Sequence, residues 1–172
     1  KSLKKIFIVG CGSAYHVGVV AKYNIEKMAR IPVEAVLASE FRYATPLVDA
    51  ETLVICISQS GTTADTIAAM REAKRLGAKV LSIVNVVGSV IAAESDWCLY
   101  TWAGPEIAVA TTKAYSTQLA VTYLITIYLA DILGTITKDE YAAVVEGLST
   151  LPSKLEEILD GKEHIQYLAS IY

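Results

Sequence analysis

A run of six residues, Ser-Gln-Ser-Gly-Thr-Thr at 58–63 (the 58–63 loop), directly follows the apolar residues 54–57. Its hydroxyl and amide groups could form a surface turn, a helix cap, a nucleophile turn or an anion-binding loop. A nucleophile elbow would need Gly where Ser58 stands, and a P-loop would need Lys where Thr62 stands. Neither of these two motifs fits.

The number of hydroxyl groups in the 58–63 loop favours anion binding over a simple cap. Thr62 and Asp65 have the spacing of a capping box. A cap uses one hydroxyl and leaves the other polar side chains of the loop without a role. A phosphate monoester is nearly doubly charged at neutral pH, and hydroxyls together with the free N–H groups of a helix start can bind its oxygens without a cation.

The segment 10–18, Gly-Cys-Gly-Ser-Ala-Tyr-His-Val-Gly, raises the question of a dinucleotide site. Gly10 and Gly12 match the first two glycines of that fingerprint, but Tyr15 stands where the third, small residue belongs. The other interpretation is a tight turn into a helix whose free N–H groups hold an anion. The sequence therefore predicts no nicotinamide cofactor.

Apolar runs alternate with helical patterns along the chain. The runs predict strands at 4–10, 32–38, 51–58, 79–85 and 97–102, and the helical patterns predict helices at 13–30, 63–76 and 111–133. Strands that are apolar throughout are typical of a parallel sheet buried on both faces. We expect an α/β fold, a three-layer doubly wound domain with five parallel strands, whose ligands bind beyond the carboxyl ends of the strands.

Composition narrows the function further. The chain has 172 residues, 53% of them hydrophobic, and a net charge of −3, which is typical of a globular domain. No Lys/Arg-rich block occurs, so we expect no nucleic-acid partner. The three separated cysteines predict reduced core thiols in a cytoplasmic protein and no metal site.

Two further segments carry expectations of their own. The segment 114–130 is free of charge. It predicts a helix buried on nearly all sides, in the core or at a subunit interface, in preference to a membrane span. The charged segments after residue 134 predict helices broken at Pro152 and Gly161, and the chain ends suggest a piece of a longer polypeptide.

Four segments in order resemble the sugar isomerase (SIS) domain family. They are SQSGTTADT, ASEFRY, SIVNVVGS and AGPEIAVATTKAYSTQ. More narrowly, they are similar to the first of two SIS subdomains in the aminotransferases that convert fructose 6-phosphate and glutamine to glucosamine 6-phosphate and glutamate. The resemblance implies a flavodoxin-like five-stranded sheet, a phosphosugar-binding domain at 1–134 and a helical connector at 135–172. It also implies a second SIS subdomain and a glutaminase domain elsewhere in the full protein. The apolar long helix and the apolar end at Tyr172 separately predict a homodimer.

The resemblance also implies the residues of the site. The phosphate would be bound by the loop residues Ser58, Gln59, Ser60, Gly61 and Thr63, with help from the turn at Gly12, Ser13 and Ala14. Val87 and Ser89 would face the sugar. Ala14 stands where the family usually has a hydroxyl residue, and Thr62 where it usually has Glu. These departures leave another sugar phosphate open as the ligand.

The family's proton-transfer residues belong to the second subdomain and the C-terminal tail. The resemblance therefore implies no catalytic residue here and sugar-phosphate binding without turnover by this chain alone. Alternatives are a phosphosugar-sensing module without chemistry, or an isomerase or deaminase for another amino-sugar phosphate. Glu40 and Glu106 are possible general bases, although structural roles explain them as well. Lys113, at the start of the long helix, is expected to pair with a carboxylate such as Glu106.

Overall fold

The computed structural model describes residues 3–108 and 110–172. Five strands and eight helices occur in them. The strands are β1 Lys5–Gly10, β2 Val33–Leu37, β3 Thr52–Ser58, β4 Lys79–Val84 and β5 Trp97–Tyr100. The helices are α1 Ser13–Met28, α2 Ala38–Phe41, α3 Ala64–Arg75, α4 Val90–Glu94, α5 Lys113–Leu133, α6 Lys138–Ser149, α7 Leu151–Asp160 and α8 Lys162–Ile171.

The five strands form one parallel sheet in the order β2-β1-β3-β4-β5. Helices α1 and α5 pack together on one face of the sheet, and α2, α3 and α4 pack together on the other. This is the expected three-layer doubly wound α/β fold, and the prediction is confirmed. The direction in which successive strands are added to the sheet reverses between β1 and β3. Ligands of such sheets bind in the crevice at that point.

Alternating side chains of the central strands supply two cores. Phe7 and Val9 of β1 pack with Phe41 and Met70 on the α2–α3 face. The intervening residues of β1, such as Ile6, are equally buried. Burial on both faces explains the continuous apolar runs that predicted these strands.

Strand β5 differs from that expectation. Trp97 and Leu99 are exposed. The strand forms the edge of the sheet and pairs only with β4 among the described residues. Edge position, rather than polar sequence, is the reason for its exposure.

Helix α5 corrects the expectation of burial on nearly all sides. Its face toward the sheet and α1 is buried, including Gln118, Thr122 and Ile127. The opposite face exposes apolar side chains, among them Tyr128 at 64% and Ile132 at 62%. By length and composition α5 could also cross a membrane, but helices from the cores of soluble proteins meet the same criterion.

The chain divides into two compact units, Lys1–Thr135 and Ile136–Tyr172. The second unit consists of α6, α7 and α8. The helix break expected at Pro152 falls instead at Thr150, and Pro152 lies in the first turn of α7. Proline is tolerated there because the N–H of a first-turn residue has no partner within the helix. Gly161 separates α7 from α8, as expected.

Candidate functional site

The 58–63 loop begins where β3 ends, and its own hydroxyls fix its shape. The Ser58 Oγ accepts a hydrogen bond from the Gly61 N–H at 3.1 Å and lies 2.8 Å from the Thr63 Oγ1. One hydroxyl hydrogen of the Ser58–Thr63 pair is used in that contact, and the other is available to a ligand. Ser58 is buried, so the pair forms the base of the loop.

Ser60 has a different position in the loop. Its Oγ accepts hydrogen bonds from the Thr62 N–H at 3.2 Å and from the Thr62 Oγ1 at 3.1 Å. Both contacts use Ser60 as an acceptor, which leaves its own O–H hydrogen available to donate. The predicted capping box of Thr62 and Asp65 is wrong. Thr63, not Thr62, is the N-cap residue of α3, and it makes no side-chain cap bond; its hydroxyl lies against the Ser58 Oγ instead.

Gly61 lets the loop lie against the next strand-to-helix connection. Its φ is +65°, and a Cβ built on it would lie 2.0 Å from the Ser89 Oγ. The Gly61 carbonyl accepts from the Ile91 N–H, and the Gln59 carbonyl accepts from the Asn85 N–H, both at 3.0 Å. Two backbone hydrogen bonds therefore hold the loop to the end of β4 and the start of α4.

The 58–63 loop forms one wall of a cavity of about 470 Å³ at the carboxyl edge of the sheet. Six predicted site residues line it together: Ser13, Ala14, Ser58, Gln59, Ser60 and Thr63. The remaining described lining residues are Cys11, Ile57, Glu106, Ile107, Ala108, Thr111 and Gln118. No Lys, Arg or His occurs in either described set, so positive potential must come from dipoles and hydroxyl hydrogens.

Helix starts supply that potential. Helices α1 and α3 are 16 and 12 residues long, and neither has a side-chain hydrogen bond at its N-cap. Their first N–H groups carry the positive end of the helix dipole. Ser13 starts α1, and Thr63 immediately precedes α3, so both starts lie at the same cavity. Two uncapped helix starts and adjacent hydroxyls make this wall suitable for an anion.

A second wall of the cavity, formed by lining residues that precede α5, carries a carboxylate. One Glu106 oxygen accepts from the Thr111 hydroxyl, and the other accepts from the Ala108 N–H at 3.2 Å. The hydrogen bond from Thr111, followed by that from Ala108, lowers the pKa of Glu106 below its ordinary value. Lys113 does not form the expected direct ion pair, because its ammonium donates to the Pro105 carbonyl; its charge nevertheless contributes, as a smaller cause, to the lowered pKa of Glu106. Glu106 is thus an ionised acceptor at neutral pH.

Asn85 holds the segment that leads to this wall, and sequence reasoning assigned it no role. Its Oδ1 accepts from the Ala103 N–H at 2.9 Å and from the Thr101 hydroxyl at 3.0 Å. Its Nδ2 donates to the Gly104 carbonyl at 2.8 Å. A lone Asn at the end of a strand gives no sequence signal for such a role, since its three partners lie 16 to 19 residues further on.

Four predicted site residues lie outside the described lining of the cavity. Gly12 and Gly61 shape its turns with φ values of +56° and +65°. Val87 is 59% exposed, and Ser89 is buried behind Gly61. Conversely, Thr111 and Gln118 line the cavity although the sequence assigned them no ligand. A signal was present, because Gln118 is a polar residue within the apolar helix α5 and Thr111 is a polar residue just before it. The binding roles of all ten residues stay predictions.

The fold and the cavity define a class, an α/β domain with a hydroxyl-rich loop and a cavity at the carboxyl edge of its parallel sheet. Residues 1–128 match the SIS domain family, and the chain belongs to that family. The chain is 55% identical over 170 residues to the glutamine–fructose-6-phosphate aminotransferase (isomerizing) of Clostridium tetani, and 56% identical to that of Caldanaerobacter subterraneus subsp. tengcongensis. Each alignment covers 99% of this chain and 28% of the relative, so the chain spans little more than a quarter of the relatives' length.

Solved structures show the same relationship. The C-terminal domain of glucosamine-fructose-6-phosphate aminotransferase from Francisella tularensis superposes with a TM-score of 0.92 at 37% identity. The match covers 96% of this chain and 47% of that one. A glucosamine-6-phosphate deaminase from Thermotoga maritima is similar at a TM-score of 0.69 and 25% identity, with 82% of this chain and 43% of that one covered.

Proposed function

We propose that this chain is the first SIS subdomain of a glutamine–fructose-6-phosphate aminotransferase and binds the sugar phosphate of the isomerase half. The full protein would convert fructose 6-phosphate and glutamine to glucosamine 6-phosphate and glutamate. This chain would hold the phosphate and part of the sugar. The groups that move protons between C1 and C2 would lie elsewhere in the full protein, so the chain alone would bind without turnover.

The observation that carries the proposal is the wall formed by the 58–63 loop and the two uncapped helix starts. A phosphate dianion needs several donors around three terminal oxygens. The Ser60 hydroxyl, the free hydrogen of the Ser58–Thr63 pair and the N–H groups at Ser13 and Thr63 supply them. Each charge-assisted hydrogen bond contributes roughly 1.5–3 kcal/mol. Several of them are sufficient for specific binding without a cation.

Calorimetric titration of the chain with glucosamine 6-phosphate tests this function. Ser60→Ala removes a donor that lines the cavity, and we expect its affinity to fall by about 10-fold or more, as the loss of one charge-assisted hydrogen bond implies. Thr62→Ala is the matched control, because Thr62 belongs to the same loop but does not line the cavity. Equal affinity of Ser60→Ala and the unchanged chain, or no binding by either, would refute the phosphate assignment.

The remaining parts of the proposal concern the full protein. We propose that residues 1–134 form the phosphosugar-binding domain and that 135–172 connect it to a second SIS subdomain. The exposed apolar face of α5, with Tyr128 and Ile132, supports packing against another domain or a second copy. Sedimentation at two concentrations tests the dimer, and a monomer at both would contradict it. Three free cysteines support a reducing, cytoplasmic location, which fluorescence microscopy of the tagged full protein tests.

A second candidate is an isomerase or deaminase for another amino-sugar phosphate. The similarity to the Thermotoga maritima glucosamine-6-phosphate deaminase supports deaminase chemistry, although on the same sugar phosphate, and Ala14, whose methyl group lines the cavity, supports a different sugar. A titration series of fructose 6-phosphate, glucosamine 6-phosphate and their 6-phosphorylated isomers separates the candidates. Preferential binding of a sugar other than these two would favour the second.

A further inference from the structure

Gln118 is a buried amide that lines the cavity. It is the sixth residue of α5 and is 2% exposed. The other buried polar residues of this helix satisfy their hydroxyls locally. Thr122 donates to the Leu119 carbonyl and Thr126 to the Thr122 carbonyl, both at 2.8 Å. Within residues 3–108 and 110–172, the Gln118 side chain has no such hydrogen bond.

The amide carries an acceptor oxygen and two N–H donors. These atoms are not among the fully enclosed unpaired atoms of the described residues, so they reach the cavity that the residue lines. The cavity is the open direction for the amide, so a ligand in the cavity is the group that would complete its hydrogen bonds.

We propose that Gln118 is a ligand-binding residue that contacts the hydroxyl groups of the sugar rather than the phosphate. This inference rests on the proposed function. The anion-binding donors belong to the 58–63 loop and the start of α1, whereas the part of the wall at Glu106 and Thr111 is acidic. A phosphate dianion is repelled by the Glu106 carboxylate, and sugar hydroxyls can donate to it.

The hydrogen-bonding groups of the amide also fit the sugar end of the ligand better than the phosphate end. A sugar hydroxyl both donates and accepts, and an amide can pair with two neighbouring hydroxyls, through its oxygen and its NH₂ group. A phosphate dianion only accepts hydrogen bonds and would leave the amide oxygen without a partner. Gln118 and Glu106 together would thus recognise the polyol portion, while the 58–63 loop binds the phosphate.

Amide NMR titrations with two probes, glucosamine 6-phosphate and inorganic phosphate, test the assignment. Gln118→Met keeps the length of the side chain and removes its polar atoms. We expect this variant to bind glucosamine 6-phosphate at least fivefold more weakly and inorganic phosphate as the unchanged chain does. Thr122→Val is the matched control, a buried residue one turn further along α5 that does not line the cavity. We expect it to change neither affinity.

Thermal unfolding without ligand separates binding from a packing role. Removal of an amide that lacks partners should leave the Tm of Gln118→Met equal to or above that of the unchanged chain. A residue needed for packing would lower it. Gln118→Glu retains the size and polarity of the side chain but lacks the NH₂ donors, and it keeps the test available if Gln118→Met does not fold. It should also bind glucosamine 6-phosphate more weakly.

Four results would overturn the inference. They are unchanged binding of the sugar phosphate by Gln118→Met, equal weakening for both probes, a lowered Tm together with weaker binding, and weakening by Thr122→Val to the same degree. Unchanged binding by Gln118→Met would refute only the role of Gln118. Failure of the unchanged chain to bind glucosamine 6-phosphate would refute the proposed function, and this inference with it.

Discussion

Gly61→Ala is the substitution whose effect on stability the structure predicts most specifically. Gly61 has a φ of +65°, in the left-handed region that residues with a Cβ rarely adopt. The added Cβ would also lie 2.0 Å from the Ser89 Oγ and 2.5 Å from the Ser89 Cβ. Ser89 is 6% exposed and has little room to move away. Backbone strain and steric overlap therefore act at the same position.

The two effects have different sizes and can be separated. A residue other than Gly in the left-handed region costs roughly 1–2 kcal/mol. Forcing an extra methyl group into a packed site costs roughly 1–3 kcal/mol. We expect Gly61→Ala to lower the free energy of unfolding by about 3 kcal/mol. For a domain of this size that corresponds to a decrease in Tm of roughly 6–12 °C.

Chemical denaturation of five further variants isolates each effect. Gly77→Ala is the matched control for backbone strain, because Gly77 has a φ of +92° and its Cβ would meet nothing within 4 Å. It should lose only about 1–2 kcal/mol. Ser89→Gly combined with Gly61→Ala removes both close contacts, whereas Ser89→Ala combined with Gly61→Ala removes only the one to Oγ. Recovery should be greater with Gly than with Ala, after the effect of each Ser89 substitution alone is subtracted in a double-mutant cycle.

Binding gives a second measurement on the same proteins. The Gly61 N–H donates to the Ser58 Oγ, so a displaced Gly61 would disturb the base of the 58–63 loop. Gly61→Ala should therefore weaken glucosamine 6-phosphate binding, and Gly77→Ala should not. The reasoning is refuted if Gly61→Ala loses no more stability than Gly77→Ala, or if Ser89→Gly brings no recovery.

Two more predictions concern residues that hold the loops in place. Asn85→Ala removes three hydrogen bonds to 101–104 and should lower the free energy of unfolding by about 2–3 kcal/mol; stability equal to the unchanged chain in urea titrations would contradict this. Burial alone would raise the pKa of Asp96, but hydrogen bonds from Lys79 and the Val80 N–H outweigh it, and the pKa is lowered from 3.8. A lowered pKa means that the carboxylate stabilises the fold above its unfolded pKa and loses this effect as pH falls through the folded pKa. Asp96→Asn should therefore have a lower free energy of unfolding than the unchanged chain at pH 7. It should also lose less of that free energy on acidification below about pH 4. Parallel acid-dependent decreases in the two proteins would argue against the assignment.

The sheet could be predicted well from the sequence because its central strands are buried on both faces, so each of them is a continuous run of apolar residues. The prediction failed at the edge of the sheet, since β5 has the same apolar composition as a central strand but only one neighbour in the described structure. The exposed face of α5 escaped prediction for a related reason. An apolar sequence predicts that the surface of the helix is buried, but it does not tell whether this chain or another one buries it.

In the candidate site too, features that depend on consecutive residues could be predicted, and features that depend on residues distant in the sequence could not. The 58–63 loop could be recognised because its donors are consecutive, and Ser13 and Ala14 because they adjoin a glycine turn. The role of Asn85 could not, because its three partners lie 16 to 19 residues further along the chain. The capping box failed because α3 begins one residue later than that spacing requires, with Thr63 as its N-cap residue.

The distribution of charge in the cavity explains how a site without Lys, Arg or His among its described lining residues can orient its ligand. Donors concentrate on the wall of the 58–63 loop, and the ionised Glu106 lies on the other wall. A ligand with a dianion at one end and hydroxyl or amino groups at the other fits in one direction, because reversal would place the phosphate against the carboxylate. A Lys in the 58–63 loop would strengthen phosphate binding, but its ammonium could also pair with Glu106 and remove this polarity. In the proposed function, the hydroxyls and helix starts that the fold holds in place would attract the phosphate and leave the carboxylate free to accept from the sugar.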